Sequence, residues 1–222
     1  YRVIFAPHQI MVDSALAGKI REYVNSGGIY IISAQSAIKG LDNEFTDRPL
    51  PVFLDDLFGV RVKGFQCYKP PSGERNSVLF RDGAKAPVHV WADDIEVTGA
   101  DTVATWTGDY LKGHPACTER RSKAGKAVYY GSFFNHVAAR YLISRYAKEA
   151  GLAPILSGLP DELEVTRRSA EKCDYIFVLN HAERAMEITL PAGLYDLLED
   201  RPMPERYSLQ PYEYKVLRSV KR

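Results

Sequence analysis

The 222-residue sequence predicts an α/β domain followed by a small antiparallel β-sandwich. A continuously apolar segment at residues 29–32 follows a helical pattern and an earlier apolar segment, and this order predicts a βαβ unit. Short β segments separated by turn residues fill residues 60–128, and later in the chain the helical period disappears. We therefore expect an α/β domain with a β-rich insertion over residues 1–155 and a β-sandwich over residues 156–222.

The predicted βαβ unit opens with an apolar strand at residues 2–6. Asp13 is a typical N-cap residue and predicts the start of a helix. Apolar side chains then recur at every fourth position, at Leu16, Ile20 and Val24. Gly27 and Gly28 end this helix, because glycine accepts the left-handed geometry of a helix C-terminus. The strand at residues 29–32 does not alternate, which is typical of a parallel strand covered by helices on both faces.

The middle of the chain is predicted to contain a short helix, several strands and a longer helix. The short helix covers residues 53–58. The strands that follow are predicted at residues 77–80, 88–92, 102–107, 116–121 and 127–130. The longer helix covers residues 135–150, and one of its faces carries Ala138, Leu142 and Tyr146.

The last part of the chain is predicted to contain strands alone. Pro154 and the Ser-Gly-Leu-Pro stretch at residues 157–160 indicate a linker before it. The predicted strands lie at residues 162–168, 174–180, 186–190, 194–198 and 212–218. So short a chain builds a marginal core, and we expect this β-sandwich to depend on its neighbour for stability.

Composition and charge limit the classes of partner. The apolar fraction of 45% and the charged fraction of 26% are those of an ordinary globular domain. A net charge of +1 gives no reason to expect a nucleic acid or a membrane as partner. The three cysteines are odd in number and far apart, and no signal peptide is visible, so we expect a cytoplasmic protein. Because the sequence opens on an apolar strand, we also expect a fragment of a longer chain.

The turn after the strand at residues 29–32 is a candidate catalytic elbow. It reads SAQSA over residues 33–37, where many α/β enzymes carry a nucleophile between strand and helix. The glycine frame of such elbows is absent, so we expect small side chains that let the chain turn and no catalytic residue. An active amidotransferase-like or hydrolase domain that uses Ser33 or Ser36 is the alternative. Its base would come from His89, His114 or His136.

Metal and acid–base sites are not indicated. His114 and Cys117 form the one closely spaced histidine–cysteine pair, which supplies two ligands where structural zinc needs four. We therefore expect no metal and no cofactor. Adjacent acidic residues such as Asp93 and Asp94 are expected in solvated turns, because neighbours on a strand point to opposite faces and cannot flank one substrate.

Several stretches resemble bacterial β-galactosidases of glycoside hydrolase family 42. Two similar stretches, at residues 6–12 and 23–28, open that family's trimerisation domain, and a third reads FLDDLFGVRV at residues 53–62. Three more resemble the family's small C-terminal β-domain, and these are YIFVLNH at residues 175–181, DLLED at residues 196–200 and LQPYEYKVL at residues 209–217. Together they cover nearly the whole chain.

The resemblance implies a flavodoxin-like domain, similar to class I glutamine amidotransferases, that assembles a homotrimer. It also implies a separate catalytic (β/α)8 barrel that hydrolyses terminal β-galactosides, for which this chain is too short. Asn43-Glu44 reproduces the dipeptide of the family's acid/base residue but lies in a polar loop, so that role is not carried over. The chain's expected partners are therefore copies of itself and the barrel, with the galactoside bound by the parent enzyme.

Aromatic residues of the β-rich insertion are the candidates for a trimer interface or an active-site rim. They are Phe65, Tyr68, Trp91, Trp106 and Tyr110. Ordinary core packing is the alternative for each. A carbohydrate-binding module is a second alternative function, with tyrosines of the β-domain as its sugar platform, namely Tyr207, Tyr212 and Tyr214.

Overall fold

A computed structural model describes residues 1–68 and 76–220 of the chain. The chain divides into two compact units, Tyr1–Leu152 and Ala153–Arg222. Strands account for 42% and helices for 14% of the structure, so the protein is mostly β.

The first unit contains helices α1 (Ser14–Asn25), α2 (Asp55–Phe58) and α3 (His136–Glu149). Its strands are β1 (Val3–Ala6), β2 (Ile29–Ser33), β3 (Val60–Cys67), β4 (Asn76–Phe80), β5 (Lys85–Val88), β6 (Trp91–Val97), β7 (Asp101–Trp106), β8 (Pro115–Ser122) and β9 (Gly125–Tyr130).

The two longer helices begin where the sequence predicts. The carboxylate of Asp13 accepts a hydrogen bond from the Leu16 N–H at 2.7 Å and caps α1. The side chain of Asn135 accepts from the Ala138 N–H at 2.9 Å and caps α3. The predicted face of α3 is confirmed, since its buried residues are Ala138, Leu142 and Tyr146.

One curled, seven-stranded sheet organises the first unit, with the strand order β1-β2-β9-β8-β7-β4-β5. β1, β2 and β9 run parallel, and each further neighbour pairs antiparallel. Alternate residues of β2 pack on opposite faces. Ile31 belongs to the core that includes Leu142 of α3. Ile32 belongs to the core that includes Ile20 of α1 and Phe58 of α2.

The predicted α/β, flavodoxin-like and amidotransferase-like fold class is wrong. The βαβ unit of β1, α1 and β2 exists, but the segment expected to be a separate insertion supplies β8, β7, β4 and β5 to the same sheet. The physical cause is the short turn between Ser122 and Gly125, which folds β8 back beside β9 and extends the sheet by antiparallel pairing. A doubly wound fold would instead need a crossover helix between successive parallel strands.

A separate two-stranded ribbon of β3 and β6 lies beside the end of β9. The Asp93 N–H of β6 donates to the Gly131 carbonyl at 2.8 Å, which attaches the ribbon to the residue after β9. The register shifts between Val62 and Gly64, where a β-bulge inserts one residue into β3.

The second unit contains antiparallel strands only, among its described residues. They are β10 (Leu163–Ser169), β11 (Cys173–Asn180), β12 (Met186–Thr189), β13 (Tyr195–Asp196), β14 (Arg201–Pro202), β15 (Arg206–Leu209) and β16 (Tyr214–Val220). Five strands form one sheet in the order β10-β11-β16-β13-β14, and β12 pairs with β15. The ammonium of Lys215 is buried in this unit, 3.1 Å from the carboxylates of both Asp196 and Glu213.

Gly125 provides a test of how tightly β9 is packed. A Cβ atom there would lie 2.0 Å from the Val24 carbonyl oxygen and 2.3 Å from that of Gly28, so both backbones would have to move. We expect Gly125→Ala to lower the free energy of unfolding by about 2 kcal/mol or more, measured by urea denaturation.

The matched control is Gly18→Ala, in the exposed interior of α1, where a Cβ meets no atom within 4 Å. This variant is expected to gain about 0.5–1 kcal/mol, because alanine restricts the unfolded chain. Equal urea midpoints for the two variants would contradict the packing described for β9.

Candidate functional site

The carboxyl ends of the three parallel strands meet at one edge of the sheet. The His8 N–H, beyond β1, donates to the Ser33 hydroxyl at the end of β2, at 3.0 Å. The Ala34 N–H donates to the carbonyl of Ser132, beyond β9, at 3.2 Å. Sheets with parallel strands commonly bind ligands at this edge, so this edge is a candidate binding site.

The elbow at residues 33–37 holds no catalytic pair among the described residues. The Ser33 side chain is fully buried, and its hydroxyl accepts from the His8 N–H and donates to the Ala34 carbonyl. The buried Ser36 hydroxyl has no hydrogen-bond partner in the described parts of the chain, so no base activates it. His114, one of the proposed bases, instead lies 3.1 Å from the Asp94 carboxylate. The side chains of the elbow therefore support its backbone.

That backbone is strained. Gln35 has a φ of +61° and Ala37 a φ of +52°, in the left-handed region that residues with a Cβ rarely adopt. The Ala37 N–H donates to the Gln9 carbonyl at 2.7 Å, which helps to hold the turn in this conformation. Small side chains at positions 34 and 37, both fully buried, fit the predicted tight turn over the sheet.

Three aromatic side chains are stacked beside the elbow. The ring of Phe65, on β3, lies 4.0 Å from the ring of Trp91, on β6, at an interplanar angle of 19°. Trp91 in turn stacks with Phe133, beyond β9, at 5.8 Å and 15°. The ribbon register creates the first contact, because Phe65 pairs with Asp93 and Cys67 pairs with Trp91 on the same face.

Asp93 lies under these rings and is 2% exposed. The indole N–H of Trp91 donates to one of its carboxylate oxygens at 2.7 Å, and the Tyr129 hydroxyl donates to the other at 2.8 Å. Burial raises the pKa of this carboxyl from 3.8 to about 6, although both hydrogen bonds favour the charged form. The sequence expectation of a solvated turn at Asp93 is therefore wrong, because Asp93 points inward from a strand.

A cavity of about 240 Å³ has Asp93 in its lining. Its walls are almost entirely apolar and come from Ile38, Phe45, Leu50, Val62, Phe65 and Trp91. Gln35 and Tyr129 complete the lining together with Asp93. Sequence reasoning missed Phe45, Phe133 and Asp93, and the available signal was the two-residue spacing of Trp91 and Asp93 within a strand pattern.

The five predicted aromatic residues occupy different environments. Phe65 and Trp91 stack, and the indole N–H of the buried Trp106 donates to the Asp93 backbone carbonyl at 3.0 Å. Tyr68 is buried and its hydroxyl accepts from the Asn76 amide at 3.0 Å. Tyr110 is 57% exposed. The structure thus brings three of the five together around Asp93.

The tyrosines of the predicted sugar platform do not share one environment. Tyr212 and Tyr214 are 63% and 57% exposed, and the Tyr212 hydroxyl donates to the Glu183 carboxylate at 3.1 Å. Tyr207 is half-buried, with the Lys215 ammonium 4.8 Å from the centre of its ring. No observation here favours a sugar platform over ordinary surface residues.

The described residues contain neither a metal-binding cluster nor a membrane-spanning helix. Over residues 1–68 and 76–220 there is no cluster of three or more histidine, cysteine, aspartate or glutamate side chains able to hold a metal ion. Cys117 is buried, whereas the His114 side chain is about half-exposed. No helix in the same described ranges is long and apolar enough to cross a membrane.

Comparison with known proteins gives matches over both units. A family model described as the β-galactosidase trimerisation domain matches residues 1–153, and one described as the β-galactosidase C-terminal domain matches residues 162–219. β-Galactosidase LacZ of Heyndrickxia coagulans is 27% identical over 222 residues, which cover all of this chain and 33% of LacZ. β-Galactosidase bgaB of Geobacillus kaustophilus is 28% identical over 191 residues, covering 86% of this chain and 28% of that protein.

Solved structures have the same fold. The crystal structure of a β-galactosidase from Bacillus circulans sp. alkalophilus gives a TM-score of 0.89 at 24% identity, over 99% of this chain and 33% of that one. Gan42B is a GH42 β-galactosidase from G. stearothermophilus, and the structure of its E323A catalytic mutant gives a TM-score of 0.89 at 23% identity, over 100% of this chain and 32% of that one. The chain spans about a third of the length of the curated relatives it matches.

The raised pKa of Asp93 predicts a specific pH dependence of stability. The pKa of Asp93 in the folded state, about 6, lies above the ordinary 3.8, so the folded protein favours the protonated carboxyl group. The resulting stabilisation is fully present below pH 3.8 and is lost as the pH rises through 6. The difference between the two pKa values corresponds to about 3 kcal/mol. Asp93→Asn removes this titration and keeps an amide oxygen as acceptor.

The measurement is urea unfolding of wild type and Asp93→Asn at several pH values between 4 and 8. The stability advantage of the wild type over the variant should shrink as the pH rises, by up to about 3 kcal/mol. A difference between the two proteins that is the same at every pH would show that the Asp93 pKa is not raised.

Proposed function

The chain belongs to the family of trimerisation and C-terminal domains of glycoside hydrolase family 42 β-galactosidases, and we propose that it is the non-catalytic assembly part of such an enzyme. The match of the trimerisation-domain model over residues 1–153 carries the proposal. Residues 1–155 would form the assembly domain, and residues 156–222 the small C-terminal β-domain.

The activity of the whole protein is part of this proposal. The curated relatives named above are β-galactosidases about three times as long as this chain. By analogy, a separate catalytic (β/α)8 barrel would hydrolyse terminal β-D-galactosides with retention of configuration, through two carboxyl groups that this chain does not supply. The proposed partners are that barrel and further copies of the chain, and no cofactor is required for such hydrolysis. The three thiols, all free, support a reducing compartment such as the cytoplasm.

An exposed patch formed by the turn before β6 and the turn after β7 is the proposed contact between copies. This turn patch consists of Val90 and Tyr110, which are 42% and 57% exposed. Both border Tyr68, whose N–H donates to the Val90 carbonyl at 2.7 Å. Burial raises the pKa of Tyr68 to about 12, and the neighbouring Asp109 and, to a smaller extent, Tyr110 add to the increase. Exposed apolar groups clustered in this way are typical of interaction sites.

A closed trimer requires more than one such patch. Cyclic assembly uses heterologous contacts, in which one surface of each copy meets a different surface of the next. The turn patch would supply one of the two surfaces. Phe65 and Trp91 lie beside the cavity instead, and we propose them as the rim that faces the catalytic part, with Trp106 supporting them from below.

Light scattering of the chain after size-exclusion chromatography tests the assembly role. We expect a mass near that of three copies of the 25.0 kDa chain. Tyr110→Glu should shift the mass to that of one copy, because it places a charge in a desolvated contact.

Tyr214→Glu is the matched control, since Tyr214 is also 57% exposed but belongs to the second unit. This variant should keep the wild-type mass. A wild-type chain that stays monomeric at high concentration would contradict the proposal, and an equal loss of mass in both variants would contradict the place assigned to the contact.

A further inference from the structure

The cavity beside Asp93 combines apolar walls with a single acidic group. The aromatic and aliphatic side chains around it offer few polar atoms, and Asp93 is the acidic residue of its lining. A ligand that matches both features has an apolar body and a polar or charged end. Long basic side chains have this character, because their methylene stems pack on apolar surfaces while the charge sits at the tip.

The Asp93 carboxylate has hydrogen-bonding capacity to spare. Each oxygen accepts one hydrogen bond, from Trp91 or from Tyr129, and both donors are neutral. One lone pair therefore remains on each oxygen, which is the arrangement that a two-pronged donor requires.

The carboxylate also has no cationic partner among the described residues. None of the lysines, arginines and histidines in that part of the chain lies within 4.0 Å of it. The other buried aspartate of the chain, Asp196, contrasts with it, since the Lys215 ammonium lies 3.1 Å from its carboxylate. A buried carboxylate is costly unless it is paired, and the pKa of about 6 leaves Asp93 mostly charged at pH 7.5.

We infer that this cavity is a recognition site for an arginine side chain of a protein segment outside this 222-residue chain, with the Asp93 carboxylate binding the guanidinium and Phe65 packing on the stem. The inference extends the proposed assembly role by naming the chemistry of the partner at the rim. The curated relatives carry this part together with about twice its length of further sequence, so a segment outside the chain is available in each of them.

A guanidinium fits better than the alternatives. It is planar, less strongly hydrated than an ammonium, and donates two parallel hydrogen bonds to one carboxylate. A sugar ring would bury several hydroxyl groups against walls that offer them few partners. One aromatic ring of the cavity lining already contacts a cation. The Lys39 ammonium lies 4.6 Å from the centre of the Phe45 ring, and it also donates a hydrogen bond to Asn43 at 2.9 Å.

The test uses the full chain, N-acetyl-arginine amide as probe and its neutral isostere N-acetyl-citrulline amide as control. NMR follows the two indole N–H signals, because that of Trp91 is bonded to the Asp93 carboxylate. At pH 7.5 the arginine probe should shift the Trp91 signal saturably, and the citrulline probe should not. Equal responses to the two probes, or no saturable response to arginine, would overturn the inference, as would galactose shifting this signal.

Variants locate the binding. Asp93→Asn should abolish saturation, and its fold is checked by an unchanged circular dichroism spectrum. Phe65→Ala truncates a ring that is 56% exposed, so the fold should persist while the probe binds about two- to fivefold more weakly. Tyr214→Ala, at a position of equal exposure in the second unit, should bind as the wild type does. Unchanged binding in Asp93→Asn would also overturn the inference.

This experiment is separate from the assembly measurement. A chain that forms trimers but does not bind the arginine probe would overturn the cavity assignment and leave the assembly role standing. A monomeric chain that binds the probe through Asp93 would overturn the assembly role and leave the cavity assignment standing.

Discussion

Strand β9 is the constraint on which the first unit depends. It pairs in parallel with β2 on one edge and antiparallel with β8 on the other, and all six of its residues are buried. Its first residue, Gly125, leaves no room for a side chain, and the Gly131 that follows its last residue accepts the hydrogen bond that attaches β6. The positions of Trp91, Asp93 and Phe133 therefore follow from the position of β9.

Two aspartates of the described residues are buried, and they are buried in different ways. Asp196 has a cationic partner within its own unit, so its charge is neutralised locally and its role is structural. Asp93 has neutral donors, aromatic neighbours and an open cavity. An uncompensated buried acid lowers stability at neutral pH, and such a cost is common where a surface has a binding role. This contrast supports a binding role for Asp93 and a structural role for Asp196.

Local structure was predictable where it depends on neighbouring residues. Asp13 and the four-residue spacing of Ile20 and Val24 predicted α1. The spacing of Ala138, Leu142 and Tyr146 predicted the buried face of α3. The fold class was not predictable in the same way, because it depends on β8 pairing beside β9 and so joining the middle strands to the parallel ones. Local periodicity identifies a strand but does not identify its partner.

The contacts at the candidate site could not be predicted from local sequence patterns either. Phe65 and Trp91 were singled out as aromatic residues of the middle segment, but their stacking depends on the register of β3 against β6 and on the bulge near Gly64. Asp93 was expected in solvent because acidic pairs are usual in turns, and its burial follows from tertiary contacts with Tyr129 and Gly131.

Hydrogen–deuterium exchange of the chain across a concentration series is the most direct test of the proposed assembly role. If copies of the chain assemble through the turn patch, protection rises with concentration at residues 108–113 and in one other segment of the first unit, with no change at residues 33–37. Protection confined to the elbow at residues 33–37, or exchange that is independent of concentration throughout, would contradict it.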